Sequence, residues 1–377
     1  MLKTKAVSEL YIGLMSGTSI DGIDAGLVDF SDGKIRLVCF HYQAFPAELR
    51  QQIHTISQAD QAILLKDYGT LDSQLGRLFA EATLKLLDEA QIPASAIKAI
   101  GSHGQTVYHA PETTSGFSLQ IGDPNRIAEM TGITTVADFR RRDIAVGGQG
   151  APLVPAFHQA IFADPLQARV VVNIGGIANI TILDNKPVIG FDTGPGNGLM
   201  DWWCLRHCQQ AYDRDGDWAA SGRCLPTLLD ALKDDAYFRQ TPPKSTGKEY
   251  FSSAWLQQKL SLFNDLKPED IQATLCQLTA DTIADAIRQY APNTLQTLIC
   301  GGGAHNSRLM SLLRENLKMA VMSTAEQGID PNHVEAIAFA WLARRTLNNK
   351  PGNLCSVTGA NTPVVLGGIY PGKNGLG

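Results

Sequence analysis

Most of the side chains in this sequence that can do chemistry sit in or beside short glycine-rich stretches. These are Gly17-Thr18-Ser19-Ile20-Asp21-Gly22-Ile23-Asp24, Gly175-Gly176 followed by Asn179, Asp192-Thr193-Gly194-Pro195-Gly196-Asn197, and Gly301-Gly302-Gly303. A glycine has no Cβ, so its backbone N–H can approach phosphate oxygens closely, and each stretch is a possible anion cradle. Asp192, beside a glycine turn, is placed where a carboxylate can face a cleft and accept a proton from water. The competing reading of Asp192 is an N-cap for the helix expected from about Gly198. Asp21 and Asp24 can hold a hard cation such as Mg²⁺ through water, or can close Asx-turns instead. Arg140-Arg141-Arg142 offers guanidinium groups that match a carboxylate or a phosphate bidentately, although such a triplet is more often partly solvated surface, so one of the three is expected to reach a ligand.

The elements that must position these residues are legible in the hydrophobic pattern. Tyr11–Met15 reads as a strand that turns at Ser16–Ser19 and returns as Ile23–Phe30. Leu71–Ala90 has helical spacing, and Ile97–Ser102 is a buried strand ending at His103-Gly104-Gln105. The periodicity stops between Asp138 and Pro155, which puts a domain boundary near residue 140. The second half repeats the opening: strand Arg169–Ile174, turn Gly175-Gly176, strand Ala178–Leu183. A further strand, Pro187–Phe191, ends at Asp192, and Leu295–Cys300 ends at the triple glycine; Leu275–Tyr290 and Glu335–Arg345 are amphipathic helices. The Walker pattern is absent, and both hairpin turns join strand to strand, so neither a P-loop nor a Rossmann fingerprint applies. Two glycine hairpins in corresponding positions point instead to a duplicated α/β fold with a nucleotide in an interdomain cleft.

Composition narrows the class. The 377 residues are 44% hydrophobic and 18% charged, with a net charge of -5 and no basic block longer than Arg140–Arg142, which argues against disorder, nucleic-acid binding and membrane-surface binding. Seven scattered cysteines without a Cys-x-x-Cys pair suit a reduced, cytoplasmic protein. Cys204, His207 and Cys208 can share a helix face and bind a metal, but with no second ligand pair they read as core thiols. No apolar run reaches membrane-spanning length, so a soluble, non-exported protein is expected.

The arrangement resembles the superfamily of actin, sugar kinases and heat-shock chaperone ATPases. Within it, YIGLMSGTSIDGIDAGLVDF, GSHGQTVYH, QIGDPNRIAE, DFRRRDIAVGGQGAPLVPAFH, NIGGIANIT, GFDTGPGNGLMD and VEAIAFAWLA are similar to the anhydro-N-acetylmuramic acid kinases, and these segments sample nearly the whole chain. The stretch Trp218–Lys267 is the least diagnostic. The resemblance implies a two-domain actin-like ATPase fold, a duplicated ribonuclease H-like unit, with residues 1–140 carrying the first phosphate hairpin and 141–377 the second hairpin and the adenosine turn. It implies ATP and Mg²⁺ as cofactors, a small amino sugar as substrate and a homodimer. In the implied reaction water opens a 1,6-anhydro bridge while O6 takes the γ-phosphoryl group. Asp192 is then the base. Gly17, Thr18, Ser19, Ile20, Asp21, Gly22, Ile23 and Asp24 serve the nucleotide from one side, with Asp21 toward the metal. Gly175, Gly176 and Asn179 do so from the other side, and Gly301, Gly302 and Gly303 lie beneath adenosine. His103, Gln105, Arg140, Gln149 and Glu335 are the candidates for reading the sugar, against structural roles for the histidine and a helix first-turn charge for Glu335. Two alternatives stand beside this reading: a kinase of the same superfamily acting on an ordinary hexose or acid, and a non-catalytic nucleotide switch. The chain is too short after its second hairpin for the peptide-binding domain or large insertions that the switch requires.

Overall fold

The computed structural model describes residues 9–17, 19–57, 62–111, 115–184 and 187–373. The first unit supplies strands β1 (Leu10–Ser16), β2 (Gly22–Asp29), β3 (Arg36–Ala44), β4 (Ile97–Ala110), β5 (Phe117–Ile121) and β6 (Thr135–Ala137). The second supplies β7 (Arg169–Ile174), β8 (Ile177–Leu183), β9 (Ile189–Pro195), β10 (Gln296–Cys300) and β11 (Ala320–Ser323), after which the chain returns to the first sheet with β12 (Gly368–Tyr370).

The two sheets repeat one topology. In the first, the order β3-β2-β1-β4-β6 is built from an antiparallel β1–β2–β3 meander with β4 and β6 added parallel, β12 closing the edge and β5 pairing with β4. In the second, β9-β8-β7-β10-β11 has the same pattern of antiparallel and parallel pairs. This is the duplicated α/β fold expected from the paired hairpins, with the ribonuclease H-like strand order that the family resemblance implied. The strand β1 is buried along its whole length, as a central strand covered on both faces must be. Helix Leu65–Ala90 lays Leu71, Leu75, Phe79, Ala82 and Leu86, one turn apart, into a core with Ile12, Leu14, Leu27 and Ile100. Helix Pro268–Tyr290 does the same in the second unit, with Leu275, Ile283 and Ile287 against Val170, Val172 and Ile180. Each such side chain contributes about 1.5–3 kcal/mol by leaving water.

The domain boundaries differ from the expected division at residue 140. One compact unit extends to Phe157 and takes the chain up again from His333, and the other is His158–Asn332. Two features cause the difference. Asp143 is fully buried, and its carboxylate accepts from the Gly150 N–H (2.8 Å), Asn353 Nδ2 (2.6 Å) and the Thr358 hydroxyl (2.8 Å), tying the loop after Arg140 to the C-terminal segment. Helix Val334–Leu347 then packs on bare strand backbone. A Cβ on Gly13 would lie 1.8 Å from the Ala336 carbonyl oxygen, and one on Gly101 would lie 2.0 Å from that of Phe339. Only glycine on the strands allows that approach, and it belongs to β1 and β4 of the first sheet. Arg344 near the end of this helix donates to both Glu9 oxygens at 2.8 and 2.9 Å. Among the described residues no helix is long and apolar enough to cross a membrane, and all seven cysteines are free thiols.

Candidate functional site

In the second unit, Cys300, Asn173, Asn179 and Asp192 occupy directly paired positions across β10, β7, β8 and β9. Paired residues of neighbouring strands share a sheet face, so these side chains form one row. Asp192 lies within β9 rather than after it. The N-cap position of helix Gly198–Cys208 is Asn197, which excludes the capping role for Asp192. The segment after residue 240 folds back over β9: the Asp192 N–H donates to the Lys244 carbonyl (3.2 Å), and the Thr246 N–H donates to Asp192 Oδ2 (2.9 Å). Oδ1 accepts no hydrogen bond from the described residues. Burial pushes the Asp192 carboxyl up to about 6; Glu249 adds to the rise, while the Thr246 N–H and the Lys244 ammonium oppose it. The Lys244 ammonium rests 4.6 Å from the Tyr237 ring centroid and 5.9 Å from that of Phe191. The Tyr237 hydroxyl donates to the Asp192 carbonyl at 2.7 Å. A half-buried carboxylate is thus held by one oxygen and left open at the other.

The glycine stretches of this unit converge on the strand ends. The Gly175 carbonyl accepts from the Asn197 N–H (2.7 Å), and that of Gly176 accepts from Gly196 and Gly198 (3.0 and 3.1 Å). A Cβ on Gly196 would lie 2.2 Å from the Gly175 oxygen, so the turn sits flush on the start of helix Gly198–Cys208. Gly301, at φ +76°, donates to the Pro331 carbonyl (2.9 Å), and a Cβ there would meet Asn173 Oδ1 at 2.5 Å. One on Gly303 would meet the Ile174 side chain at 2.4 Å, whereas Gly302 faces open space apart from Asn197 Nδ2 at 3.6 Å. The structure therefore brings together Gly175, Gly176, Asn179, Asp192, Gly301, Gly302 and Gly303. It adds Asn173, Asn197, Lys244, Thr246, Lys248 and Glu249. Most of these come from the stretch with the weakest motif content, where the signal was a pair of lysines around a glycine in Lys244-Ser245-Thr246-Gly247-Lys248.

In the first unit, the turn after β1 carries Ile20 at φ +59°, with its N–H on the Gly17 carbonyl at 3.1 Å. A β-branched residue in the left-handed region stores strain, and such strain clusters at functional loops. Thr18 lies outside the described residues. Gly17 and Ser19 stay accessible, but Gly22 and Ile23 do not face a ligand. A Cβ on Gly22 would strike the Gln43 carbonyl at 2.4 Å, and Ile23 is wholly buried in the core. Gln105, too, is turned into the scaffold. It is fully buried, with Oε1 2.7 Å from the Ser16 hydroxyl and Nε2 donating to the Thr106 carbonyl (3.1 Å), so both polar ends serve the sheet.

His103 lies in the middle of β4, not at a strand end. Its Nδ1–H donates to the Gly104 carbonyl (2.8 Å), an assignment made from the network, because Nε2 must accept from Arg140 Nη2 (2.8 Å) and Nε (3.2 Å). Burial and the Arg140 charge hold His103 down at about 3, so it is neutral. Arg140 also donates to the Gly150 carbonyl (2.8 Å). Burial lowers its pKa to about 10, against the pull of Glu335 and Asp143. Its hydrogen-bond acceptors are all neutral, and the Glu335 and Asp143 carboxylates act on it through space. By contrast, Arg141 is paired with Asp138 at 2.8 Å and Arg142 is exposed. Gln149 is half-buried, its N–H on the Thr358 carbonyl. Glu335, in the first turn of helix Val334–Leu347, is raised by burial and drawn down by Arg140. Burial pushes Asp24 up to about 7, with Glu335 and then Asp21 adding to it.

Asp21 itself is exposed and bonds Arg50 at 3.2 Å. Among the described residues no group of three or more His, Cys, Asp or Glu side chains could hold a metal ion. The part of the Asp24 rise that comes from Glu335 and Asp21, after the larger part from burial, is what a hydrated Mg²⁺ beside Asp24 would relieve.

A family model described as Anhydro-N-acetylmuramic acid kinase matches residues 9–372. Proteins of that name from Shewanella denitrificans and Photobacterium profundum are 51% and 50% identical over 370 and 372 residues, covering 97% and 96% of this chain and 99% of each relative. One from Coxiella burnetii is 49% identical over 97% of this chain and 98% of its own.

Proposed function

Because the chain belongs to the anhydro-N-acetylmuramic acid kinase family, we propose that it opens the bridge of 1,6-anhydro-N-acetylmuramic acid with water and transfers the γ-phosphoryl group of ATP to O6. The products are N-acetylmuramate 6-phosphate and ADP. The observation that carries this reading is Asp192, a carboxylate raised to about 6, fixed through Oδ2 and open at Oδ1.

The water gives its proton to Oδ1 and its oxygen bonds C1 from the α face, opposite the bridge. The C1–O6 bond breaks, O6 bonds the γ-phosphorus, and the bond from that phosphorus to the β-phosphate oxygen breaks to release ADP. One base suffices, since the charge developing on O6 passes to the phosphoryl group. In this reading the Gly175-Gly176 turn with Asn179 takes the phosphates, and Gly301–Gly303 lies beneath adenosine. Gly17 and Ser19 supply further donors. Arg140, held by His103 and Gly150, meets the lactyl carboxylate, while Glu335 and Gln149 read the sugar. Asp21 and Asp24 would hold Mg²⁺ through its waters, where it offsets phosphate charge. The free thiols support a cytoplasmic location.

The test is ADP release on incubation with the anhydro sugar, free N-acetylmuramic acid and glucose, repeated in ¹⁸O-water. Turnover with the anhydro sugar, label on C1 and a first-formed α-anomer are expected. Label on the phosphate would remove the hydrolytic half of the mechanism, and turnover with glucose alone would assign the chain to ordinary sugar phosphorylation.

A further inference from the structure

We propose that Lys248 is a phosphate ligand of the second glycine turn, seated over Gly176 because that residue has no side chain. The inference rests on the reading that this turn takes the ATP phosphates, and adds to it a cation from a segment that carries no recognisable motif.

A Cβ on Gly176 would lie 2.3 Å from Lys248 Cε, 3.2 Å from Nζ and 3.5 Å from Cδ, and these are the nearest atoms it would meet. The end of the lysine therefore crosses directly over the Gly176 Cα. Gly176 is not in the left-handed region, so glycine is not required there for its backbone conformation. What its bareness provides is the seat for the lysine. The turn's own acceptors are turned away from it: the carbonyls of Gly175 and Gly176 are occupied by the amides of Asn197, Gly196 and Gly198. Lys248 is exposed, and among the described residues its ammonium makes no hydrogen bond or ion pair. A lysine laid on a glycine turn with no carboxylate or carbonyl bonded to it is a positive charge without an anion. The Gly175 N–H is taken by the Ile177 carbonyl (3.2 Å), so a phosphate oxygen would approach the turn at the Gly176 amide, where it meets the lysine. Its chemistry favours the polyphosphate end of a nucleotide and is indifferent to the base.

Titration calorimetry with ATP and with adenosine distinguishes this from a solvated surface lysine. Lys248→Met should weaken ATP binding by about 10- to 100-fold, the scale of a charge-assisted hydrogen bond, and leave adenosine binding unchanged. Lys248→Arg should recover most of the loss. ATP affinity of a folded Lys248→Met protein near that of the wild type overturns the proposal. So does an equal loss for adenosine. If the wild type binds ATP and Lys248 proves irrelevant, only this inference falls. If the wild type binds no ATP, the functional reading falls with it.

Discussion

The two units share a strand order but equip their first hairpins differently. Between β1 and β2 the connection carries Ile20 in the left-handed region and brings its own carboxylate, Asp21, with Asp24 just inside β2. Between β7 and β8 the turn is Gly175-Gly176 alone, and the charged groups come from elsewhere: Asp192 from β9, and Lys244, Lys248 and Glu249 from the segment that folds back over it. The first unit thus gathers acidic groups with one buried arginine, and the second gathers a glycine turn, lysines and one tuned carboxylate. Topology sets where a hairpin lies, but the chemistry it carries depends on turn length and on which distant segment reaches it.

If that division is right, the largest effect follows from the second unit. Asp192→Asn should lower kcat by about 10²- to 10⁴-fold with ATP and sugar binding nearly unchanged, as expected for a positioned base. In the unaltered enzyme kcat/KM should fall as pH drops through about 6, because the base works only when ionised. A pH profile flat from 5 to 8, or near-normal turnover of the asparagine variant, would take the base out of this unit.

Stability sharpens the contrast between the bare glycines. Gly13→Val drives a branched side chain into the Ala336 carbonyl and should cost about 3 kcal/mol or more, whereas Gly175→Ala, whose Cβ would come no nearer than 3.7 Å to the Ile177 oxygen, should change stability by about 0.5 kcal/mol or less. Urea midpoints of the two variants measure this; equal shifts would mean that the Val334–Leu347 helix can be lifted from the sheet at little cost.

Arg140→Lys tests the anion role in the first unit. A lysine cannot keep the bonds to both His103 and Gly150 while facing an anion, so KM for the sugar should rise about tenfold with KM for ATP unchanged. A change confined to ATP would move Arg140 to the nucleotide. Asp24 tests the acidic side of the first unit. Its folded-state pKa, about 7, lies above the usual carboxylate value, so ionisation opposes folding progressively as pH rises from about 4 to 7. Asp24→Asn should therefore raise the melting temperature at pH 8 in the metal-free protein, and the gain should vanish near pH 4. A gain of equal size at both pH values would show that charge is not its source.

Short-range pattern was enough to locate both hairpins, Arg169–Ile174 to the residue, the glycine turns and Asp192, because strand alternation and glycine punctuation are written in neighbouring residues. The same local logic set His103 and Asp192 at strand ends, although β4 runs on to Ala110 and β9 to Pro195. A strand's length depends on the partner beside it, here β5 for one and β8 for the other. Gln105 and Ile23 stand in motifs that looked functional, and only burial shows that they serve the scaffold. The return of helix Val334–Leu347 to the first sheet depended on Gly13 and Gly101, more than two hundred residues earlier. The same is true of Lys248, Thr246 and Lys244, which earn no notice in sequence and acquire a role when a loop folds over β9. Which residue types and turns are available for this chemistry is set by adjacent positions and is therefore legible without a fold. Tertiary structure decided which of them meet, since close approach, burial and the partner of each charge are set by segments far apart in the chain.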